Sequence, residues 1–450
     1  MLLFYFVFSL LPRIWHQNTL PLKNSILLFF SLLFYAWGEP IYVLLMIAQI
    51  VIIFILAYYM DRFRSKRRSR IFLILSLVIG VGVLAFFKYI PAMGIFGALS
   101  DVVMPIGISF YTFQILSYVI DLYRGRVSVS KNILNFACYV TLFPQLIAGP
   151  IVRYADVESS LQKREHSAAT VSDGICRFVI GLGKKVLIAN IIGDLYRITG
   201  STQESSVLFA WLSVIAFTLQ IYYDFSGYSD MAIGLGQIFG FTFLENFNYP
   251  YISKSITEFW RRWHISMSSW FRDYVYFPLG GSHVPKGRHI CNILFVWALT
   301  GLWHGARWNF VAWELYFALL LLLEKYLCPV FLTKLPRVLR HIYVLLLIMI
   351  GWILFESSSF TQAATSIKAL FGFGTEKIVG AQSLYYLRSY IVILGVAMIG
   401  ATPFPKKVAE YIRRKRVIAV LEPLVVAGIL LTVTAFLVDG SFNPFLYFRF

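Results

Sequence analysis

Long apolar runs, separated by short polar segments, dominate this sequence of 450 residues. Residues 40–60, 71–87, 207–223 and 418–438 are examples of such runs. A membrane-spanning helix needs roughly 20 apolar residues, so with shorter and interrupted runs included the pattern predicts about eleven transmembrane helices. We therefore expect an all-α polytopic membrane protein, with re-entrant and interfacial helices around a central funnel.

The composition supports a chain surrounded by lipid. Hydrophobic residues make up 59% of the sequence and charged residues only 14%, which is typical of membrane proteins. The sequence shows no repeat of fixed period and no low-complexity tract. We expect a single membrane domain over residues 1–450.

Basic residues give the chain a formal net charge of +18. They concentrate in short segments such as 61–70 and 406–416, which the positive-inside rule places in the cytoplasm. Membrane lipid with anionic headgroups, rather than nucleic acid, is therefore the expected partner of these charges. The four cysteines, one of them Cys328, lack the spacing of a disulfide framework or a zinc site, so no bound metal is expected.

Three apolar runs contain residues that disturb a simple lipid-facing helix. Small and polar residues within 104–122 predict contact with other helices. Two prolines and a glycine near the end of 132–150 predict a bend. The adjacent Lys184 and Lys185, within 175–195, favour a helix end or an interfacial helix with snorkelling side chains.

Ionisable residues concentrate between residues 224 and 314, where they alternate with tryptophan and phenylalanine. Each Asp, Lys or Arg at mid-bilayer costs roughly 2.5 to 3.5 kcal/mol. These side chains therefore cannot all face lipid and must line a cavity, pair with one another or lie at an interface. We interpret residues 224–314 as the polar functional core.

The first part of this core is the polar heptapeptide 224–230, which follows the apolar run 207–223. Asp224, Ser226, Tyr228 and Asp230 are candidates for substrate binding. Ser226 and Ser229 have a competing interpretation, because serine commonly caps a helix that restarts after glycine. Asp224 lies in an apolar run, where an unpaired carboxylate would be costly.

Residues 256–274 show helical periodicity with one apolar and one polar face. The spacing predicts an amphipathic helix at the membrane surface or along a groove. Binding of lipid headgroups by its arginines is an equally good interpretation. The candidate polar residues of this segment are Arg261, Arg262, His264, Arg272 and Asp273.

The segment 301–305 places His304 within a hydrophobic region. Ionisable groups in such surroundings are rare and usually functional. A neutral histidine can take a proton from a hydroxyl near neutral pH, and Gly301 and Gly305 would allow close approach of backbone or substrate. Trp303, Trp308 and Asn309 are candidate donors to a developing oxyanion.

Taken in order, these motifs resemble the membrane-bound O-acyltransferase superfamily, and within it the bacterial alginate O-acetyltransferase branch. The resembling segments are 224–230, 258–266, 272–274, 278–281 and 301–306, with 104–113, 143–150 and 443–448 outside the core. Phe317 is a departure, because relatives often carry a histidine there.

The resemblance implies a multi-pass enzyme of the bacterial inner membrane, with His304 as the essential histidine and His264 at a second polar position. It implies transfer of an acetyl group from a cytoplasmic thioester toward hydroxyls of an extracytoplasmic polysaccharide. The donor would be acetyl-CoA or another acyl thioester, and no tightly bound cofactor is expected. An extracytoplasmic acetyltransferase partner would complete the transfer.

Other hypotheses remain open at this point. D-alanyl or other acyl transfer to a cell-wall polymer is one alternative. A secondary transporter and a non-catalytic scaffold of exopolysaccharide machinery are alternatives of another class. The basic residues at 283–289 could meet the phosphates of coenzyme A, or form an ordinary cytoplasmic loop.

Overall fold

The computed structural model describes residues 5, 20–63, 66–93, 102–147, 149–164, 166–202, 204–327, 334–413, 418–440 and 444–446. The described residues are predominantly helical and form no extended strand, which confirms the all-α prediction. Cys328 and the ends of the motif 443–448 lie outside the described residues.

Nineteen α-helices follow one another in the described chain. They are α1 (Leu20–Gly38), α2 (Tyr42–Arg62), α3 (Lys66–Met93), α4 (Ile108–Tyr123), α5 (Ile133–Thr141), α6 (Phe143–Leu146), α7 (Tyr154–Gln162), α8 (Ala168–Gly183), α9 (Ile191–Ser201), α10 (Val207–Ile238), α11 (Ile256–Arg262), α12 (Ile265–Phe271), α13 (Lys286–His304), α14 (Trp308–Tyr326), α15 (Arg337–Glu356), α16 (Phe360–Leu370), α17 (Ala381–Gly400), α18 (Phe404–Arg413) and α19 (Ile418–Asp439). Two π-helical stretches, Lys184–Asn190 and Arg272–Tyr276, and one 3₁₀ turn, Pro250–Ile252, complete the helical elements of the described residues.

Seven of the described helices are long and apolar enough to cross a membrane. They lie within α1, α2, α3, α10, α15, α17 and α19. This agrees with a polytopic membrane protein. The total of about eleven spans stays a prediction, because shorter helices are not judged by this criterion.

The chain divides into two compact units. The first comprises residues 1–175 with 232–244, and the second comprises residues 176–231 with 245–450. The expectation of one domain over the whole chain stays a prediction. The polar core belongs mainly to the second unit.

In the first unit, α4 is enclosed by protein along almost its whole length. Nearly every side chain from Ile108 to Leu122 is buried, so the predicted helix contacts are confirmed. The predicted bend in 132–150 is confirmed as well, because α5 ends at Thr141 and only the single turn α6 follows before Pro150.

The two adjacent lysines do not mark a helix end. The helical path runs without a break from α8 through the π-helical stretch into α9. Lys185 is buried and forms an ion pair with Asp224, while Lys184 pairs with Asp230. The prediction of snorkelling side chains is therefore wrong, since carboxylates on α10 compensate both charges.

Close packing of α8 against α10 brings these charges together. A Cβ added to Gly181 would lie 2.6 Å from the carbonyl oxygen of Gly227, and one added to Gly227 would lie 2.8 Å from that of Gly181. Only glycine allows this approach at both positions. The lysines follow Gly181 by one turn and reach the carboxylates on α10.

Replacing Lys185 by methionine should destabilise the protein by about 3–5 kcal/mol, because it leaves the buried Asp224 carboxylate without its cation. Lys184→Met is the matched control and should cost about 1 kcal/mol or less, since Asp230 keeps its ion pair with Arg177. Thermal unfolding in detergent measures both. The double variant Lys185→Met with Asp224→Asn should recover most of the loss, and equal stability of the two single variants would contradict the pairing.

Candidate active site

His304 is the last residue of α13, and it lies at a close approach between α13 and α14. A Cβ on Gly301 would lie 2.7 Å from the Cα atom of Val311, and one on Gly305 would lie 2.5 Å from the ring of Phe310. Both distances are too short for any side chain. The predicted close approach of backbone is confirmed at Gly301, whereas the close neighbour of Gly305 is a side-chain ring; both contacts pack the end of α13 against the first turn of α14.

His304 is 8% exposed, and a carboxyl group lies beside its imidazole. Its Nε2 atom is 3.4 Å from Oε1 of Glu314, which is fully buried. The rings of Trp303 and Trp313 stand edge-on to the imidazole, with centroids 4.8 and 5.2 Å away. Sequence reasoning missed Glu314 as a site residue, although a carboxylate within the apolar run after His304 was an available signal.

The predicted amphipathic helix over 256–274 is interrupted at its centre. α11 ends at Arg262, and α12 begins at Ile265. Between them Trp263 is extended, and His264 has φ +44° and ψ +53°, a left-handed conformation. This conformation costs an L-residue roughly 1–2 kcal/mol. The single-helix prediction is wrong, and so is the shared polar face, because His264 is 1% exposed while Arg261 is exposed.

Asn246 holds the break in place. Its backbone carbonyl accepts a hydrogen bond from the N–H of Ile265 at 3.0 Å. Its side-chain oxygen accepts from the N–H of Ser266 at 3.2 Å and lies 3.1 Å from Nδ1 of His264. Its amide nitrogen donates to the hydroxyl of Ser229 at 3.1 Å. Sequence reasoning missed Asn246, because nothing in its local sequence shows that it reaches His264.

These hydrogen bonds determine the tautomer of His264. Because a backbone N–H can only donate, the Asn246 atom facing Ser266 must be the oxygen, and Nδ1 of His264 must then donate to it. A neutral ring therefore leaves Nε2 as an acceptor. Nε2 has no hydrogen-bond partner among the described residues. No carboxylate contacts this buried ring within the described residues, which favours its neutral form.

Both histidines line one small cavity in the second unit. Its volume is about 30 Å³, so it admits only a group on the order of the size of a water molecule or a few atoms. Aromatic rings form most of its wall. The lining residues are Ile221, Asp224, Phe225, Trp260, Trp263, His264, Met267, His304, Trp313, Trp352, Phe355 and Leu446.

A much larger cavity, of about 1100 Å³, lies next to the small one. Trp260 and Met267 line both cavities and so form part of the partition between them. Glu314 lines the large cavity and lies beside His304. The basic residues of the large cavity are Lys254, Arg261, Arg272, His289, Lys325 and Arg340.

The arginines predicted as candidates from the sequence do not all lie in the same cavity. Arg261 and Arg272 line the large cavity, whereas Arg262 does not. Arg262 pairs with Glu258 at 2.9 Å. Burial alone would raise the pKa of Glu258, but hydrogen bonds from the Lys254 backbone N–H and from Arg262 lower it overall. Glu258 is therefore ionised and already compensated.

Asp273 accepts hydrogen bonds from the neighbouring Arg272 and does not line either cavity. Of the basic loop 283–289, only His289 lines the large cavity. It lies within hydrogen-bond distance of the hydroxyls of Tyr276 and Tyr326. Lys286, at the start of α13, is exposed.

Two members of the polar heptapeptide, Asp224 and Phe225, line the small cavity, and Asp224 is the charged one. Its carboxylate pairs with Lys185 and accepts from the N–H of Leu446 at 2.8 Å. Asp230 lies between Arg177 and Lys184, at 2.9 and 2.6 Å. The structure thus gives both carboxylates ion pairs.

The hydroxyl groups of the heptapeptide do not cap a helix. Ser226 and Ser229 lie within α10, which continues to Ile238, so the capping interpretation is wrong. Ser226 and Tyr228 line neither cavity. The ring of Tyr228 packs edge-on against Phe445, with centroids 4.7 Å apart.

The fold also keeps the candidate oxyanion donors away from the small cavity. The amide nitrogen of Asn309 already donates to the carbonyls of Phe355 and Ser357, at 2.9 and 3.1 Å. Trp308 is 74% exposed, and Trp303 packs on His304 without lining either cavity. The structure therefore does not bring these side chains to the small cavity as donors.

Comparison with known proteins shows the family of this chain. The model of the MBOAT family, the membrane-bound O-acyltransferases, matches residues 125–360. A probable alginate O-acetylase of Azotobacter vinelandii is 34% identical over 99% of this chain and 99% of the relative. The chain belongs to the membrane-bound O-acyltransferase family. It is therefore an O-acyltransferase and a multi-pass membrane protein, which disfavours the transporter and scaffold alternatives.

Two further relatives show the range of this family. The peptidoglycan O-acetyltransferase of Helicobacter pylori is 31% identical over 81% of this chain and 74% of the relative. The teichoic acid D-alanyltransferase of Bacillus subtilis is 31% identical over 48% of this chain and 58% of the relative.

The contact at Gly301 is testable with a single methyl group. Gly301→Ala should separate α13 from α14, cost about 1–3 kcal/mol of stability, and reduce acyl transfer about 100-fold, because small misplacements of a catalytic group are costly. Gly287→Ala on the same helix is the matched control, since no atom lies within 4 Å of its added Cβ. Acyl transfer per folded molecule measures the effect, and wild-type rates in Gly301→Ala would contradict it.

Proposed function

We propose that this enzyme transfers an acetyl group from a cytoplasmic thioester, acetyl-CoA or a related donor, across the membrane toward hydroxyls of an extracytoplasmic polysaccharide. Neutral His304 is the general base, and transfer is direct or through an extracytoplasmic acetyltransferase partner. The observation that carries the proposal is the large basic cavity, which shares Trp260 and Met267 with the small cavity that holds both histidines.

The charge of the large cavity supports a phosphorylated donor. Lys254, Arg261, Arg272, Lys325 and Arg340 line it, against three acidic residues. Two of these acids are engaged elsewhere: Glu258 with Arg262, and Glu324 with the N-terminus of α11. Arginine and lysine are suited to phosphate groups. Coenzyme A carries such groups, and the positive-inside rule favours a cytoplasmic opening.

The small cavity supports a short acyl group. A volume of about 30 Å³ leaves no room for a fatty acyl chain. The D-alanyl group, which the Bacillus subtilis relative transfers according to its name, is the second candidate. Its ammonium group would need a free negative charge. Asp224, the carboxylate that lines the small cavity, is already paired with Lys185, which favours the uncharged acetyl group.

The reaction needs one proton transfer. The acceptor hydroxyl attacks the acetyl carbonyl, His304 takes the hydroxyl proton, and the thiolate leaves. A positioned base of this kind typically contributes about 10² to 10⁴ in rate. His264 lines the same small cavity, where its acceptor Nε2 would bind a neighbouring hydroxyl of the saccharide and leave the proton of the attacking hydroxyl to His304.

The names of the relatives support a polysaccharide acceptor. Two of them are named for acetyl transfer to alginate and to peptidoglycan, both polymers outside the cytoplasm. The acceptor of this enzyme would be an envelope polysaccharide, and its location the inner membrane of a bacterium. Membrane lipid surrounds the exposed apolar faces of the helices.

His304→Ala should reduce acetylation of the envelope polysaccharide by about 10² to 10⁴, because the base is lost. The measurement compares cells that express equal membrane levels of wild type, His304→Ala and His283→Ala. His283 is exposed and lines neither cavity, so its variant should acetylate normally. Undiminished acetylation by His304→Ala would rule out the proposed mechanism.

Arg261→Glu should raise the KM for acetyl-CoA at least about tenfold, since a hydrogen bond to a charged group contributes roughly 1.5–3 kcal/mol. The maximal rate should change little, because Arg261 is remote from the acyl group. Lys286→Glu introduces the same charge change at an exposed position that does not line the cavity. An equal rise in KM for both variants would indicate general electrostatics rather than a donor site.

A further inference from the structure

Glu314 is a fully buried titratable group that the proposed mechanism does not use. It lies in the second turn of α14, in an otherwise apolar segment. Neither carboxyl oxygen accepts a hydrogen bond from any described residue. Within the described part of the chain, the basic group recorded at ion-pair distance is His304, with 3.4 Å between Nε2 and Oε1.

Glu314 is positioned to exchange protons with groups in both cavities. His304 lines the small cavity, whereas Glu314 lines the large one. The carboxyl group thus stands between the general base and the space where the thiol of the donor would be released. A group that exchanges a proton with both sides suits this position.

A fully buried carboxylate without hydrogen-bond donors is costly, so the resting pair is a neutral carboxylic acid beside a neutral imidazole. The presence of a glutamate at this position indicates a functional role, because an apolar side chain would fill the same space without a desolvation cost. A proton held on Glu314 is available to a leaving group.

We propose that Glu314 relays the proton of the acceptor hydroxyl from His304 to the leaving thiolate. This inference rests on the proposed function and names a second catalytic residue for it. As the hydroxyl oxygen bonds to the acetyl carbon and the carbon–sulfur bond breaks, His304 takes the hydroxyl proton and Glu314 gives its proton to the sulfur. The imidazolium then returns a proton to the Glu314 carboxylate, and the pair is neutral again. The products are the acetyl ester and the free thiol.

If Glu314 relays a proton, the effect of its loss depends on the leaving group of the donor. If Glu314 only orients His304, the effect does not. A leaving group of low pKa departs without protonation. An orienting carboxyl would matter equally for every donor, because it acts through the basicity and position of His304. A proton donor to the leaving atom matters only when that atom needs the proton.

The test uses the full-length enzyme in inside-out membrane vesicles with two donors, acetyl-CoA and its selenium analogue, the acetyl selenoester of seleno-CoA. The two donors differ in one atom, and the selenolate is the better leaving group. Glu314→Gln should lose about 10² in rate with acetyl-CoA, but less than about tenfold with the selenoester. Glu314→Asp, which keeps a carboxyl group, should restore part of the acetyl-CoA rate.

Two controls accompany the measurement. His304→Ala should lose activity equally with both donors, because the base is needed for each. Asp121→Asn removes a different buried carboxylate, one paired with Arg126 in the first unit, and should leave the ratio of the two rates unchanged. Thermal unfolding verifies that each variant is folded.

An equal loss for both donors in Glu314→Gln would overturn the relay alone and leave the proposed function standing. Wild-type activity in Glu314→Gln with both donors would overturn it as well. Absence of transfer by the wild-type enzyme from either donor would overturn the proposed function and, with it, the relay.

Discussion

An ionisable side chain in the apolar interior of this protein is stable only where another group compensates it. This constraint organises the polar core of the second unit. Asp224 is matched by Lys185, and Asp230 by both Lys184 and Arg177. The pairs join α8 and the π-helical stretch after it to α10. Charges that looked like functional candidates in the sequence therefore hold helices together.

The pair of His304 and Glu314 is compensated in a different way. The ion pairs on α10 are short contacts between full charges, whereas Nε2 of His304 and Oε1 of Glu314 are 3.4 Å apart. Burial favours the neutral forms of both groups. Such a pair can gain and lose a proton without leaving a permanent charge in the interior, which is the property that acid–base chemistry needs.

The two histidines owe their different environments to the backbone. His264 takes a left-handed conformation between two short helices and is fixed by Asn246. His304 ends a long helix whose approach to α14 depends on Gly301. A strained backbone position such as that of His264 persists where surrounding contacts stabilise it, and such positions are common at active sites. The fold thereby brings two imidazoles to the same small cavity from separate segments.

The sequence by itself determined the helical membrane architecture and identified His304 as the candidate base. Both follow from local properties: the length of apolar runs, and the cost of one ionisable group within them. The tertiary structure alone decided which side chains contact one another in the polar core. The pairing of Lys185 with Asp224 and the break at His264 depend on contacts between residues distant in the chain. The contact between His304 and Glu314 depends on how two consecutive helices pack together. Periodicity could not reveal the interruption of 256–274, because Asn246, which stabilises it, lies outside the segment.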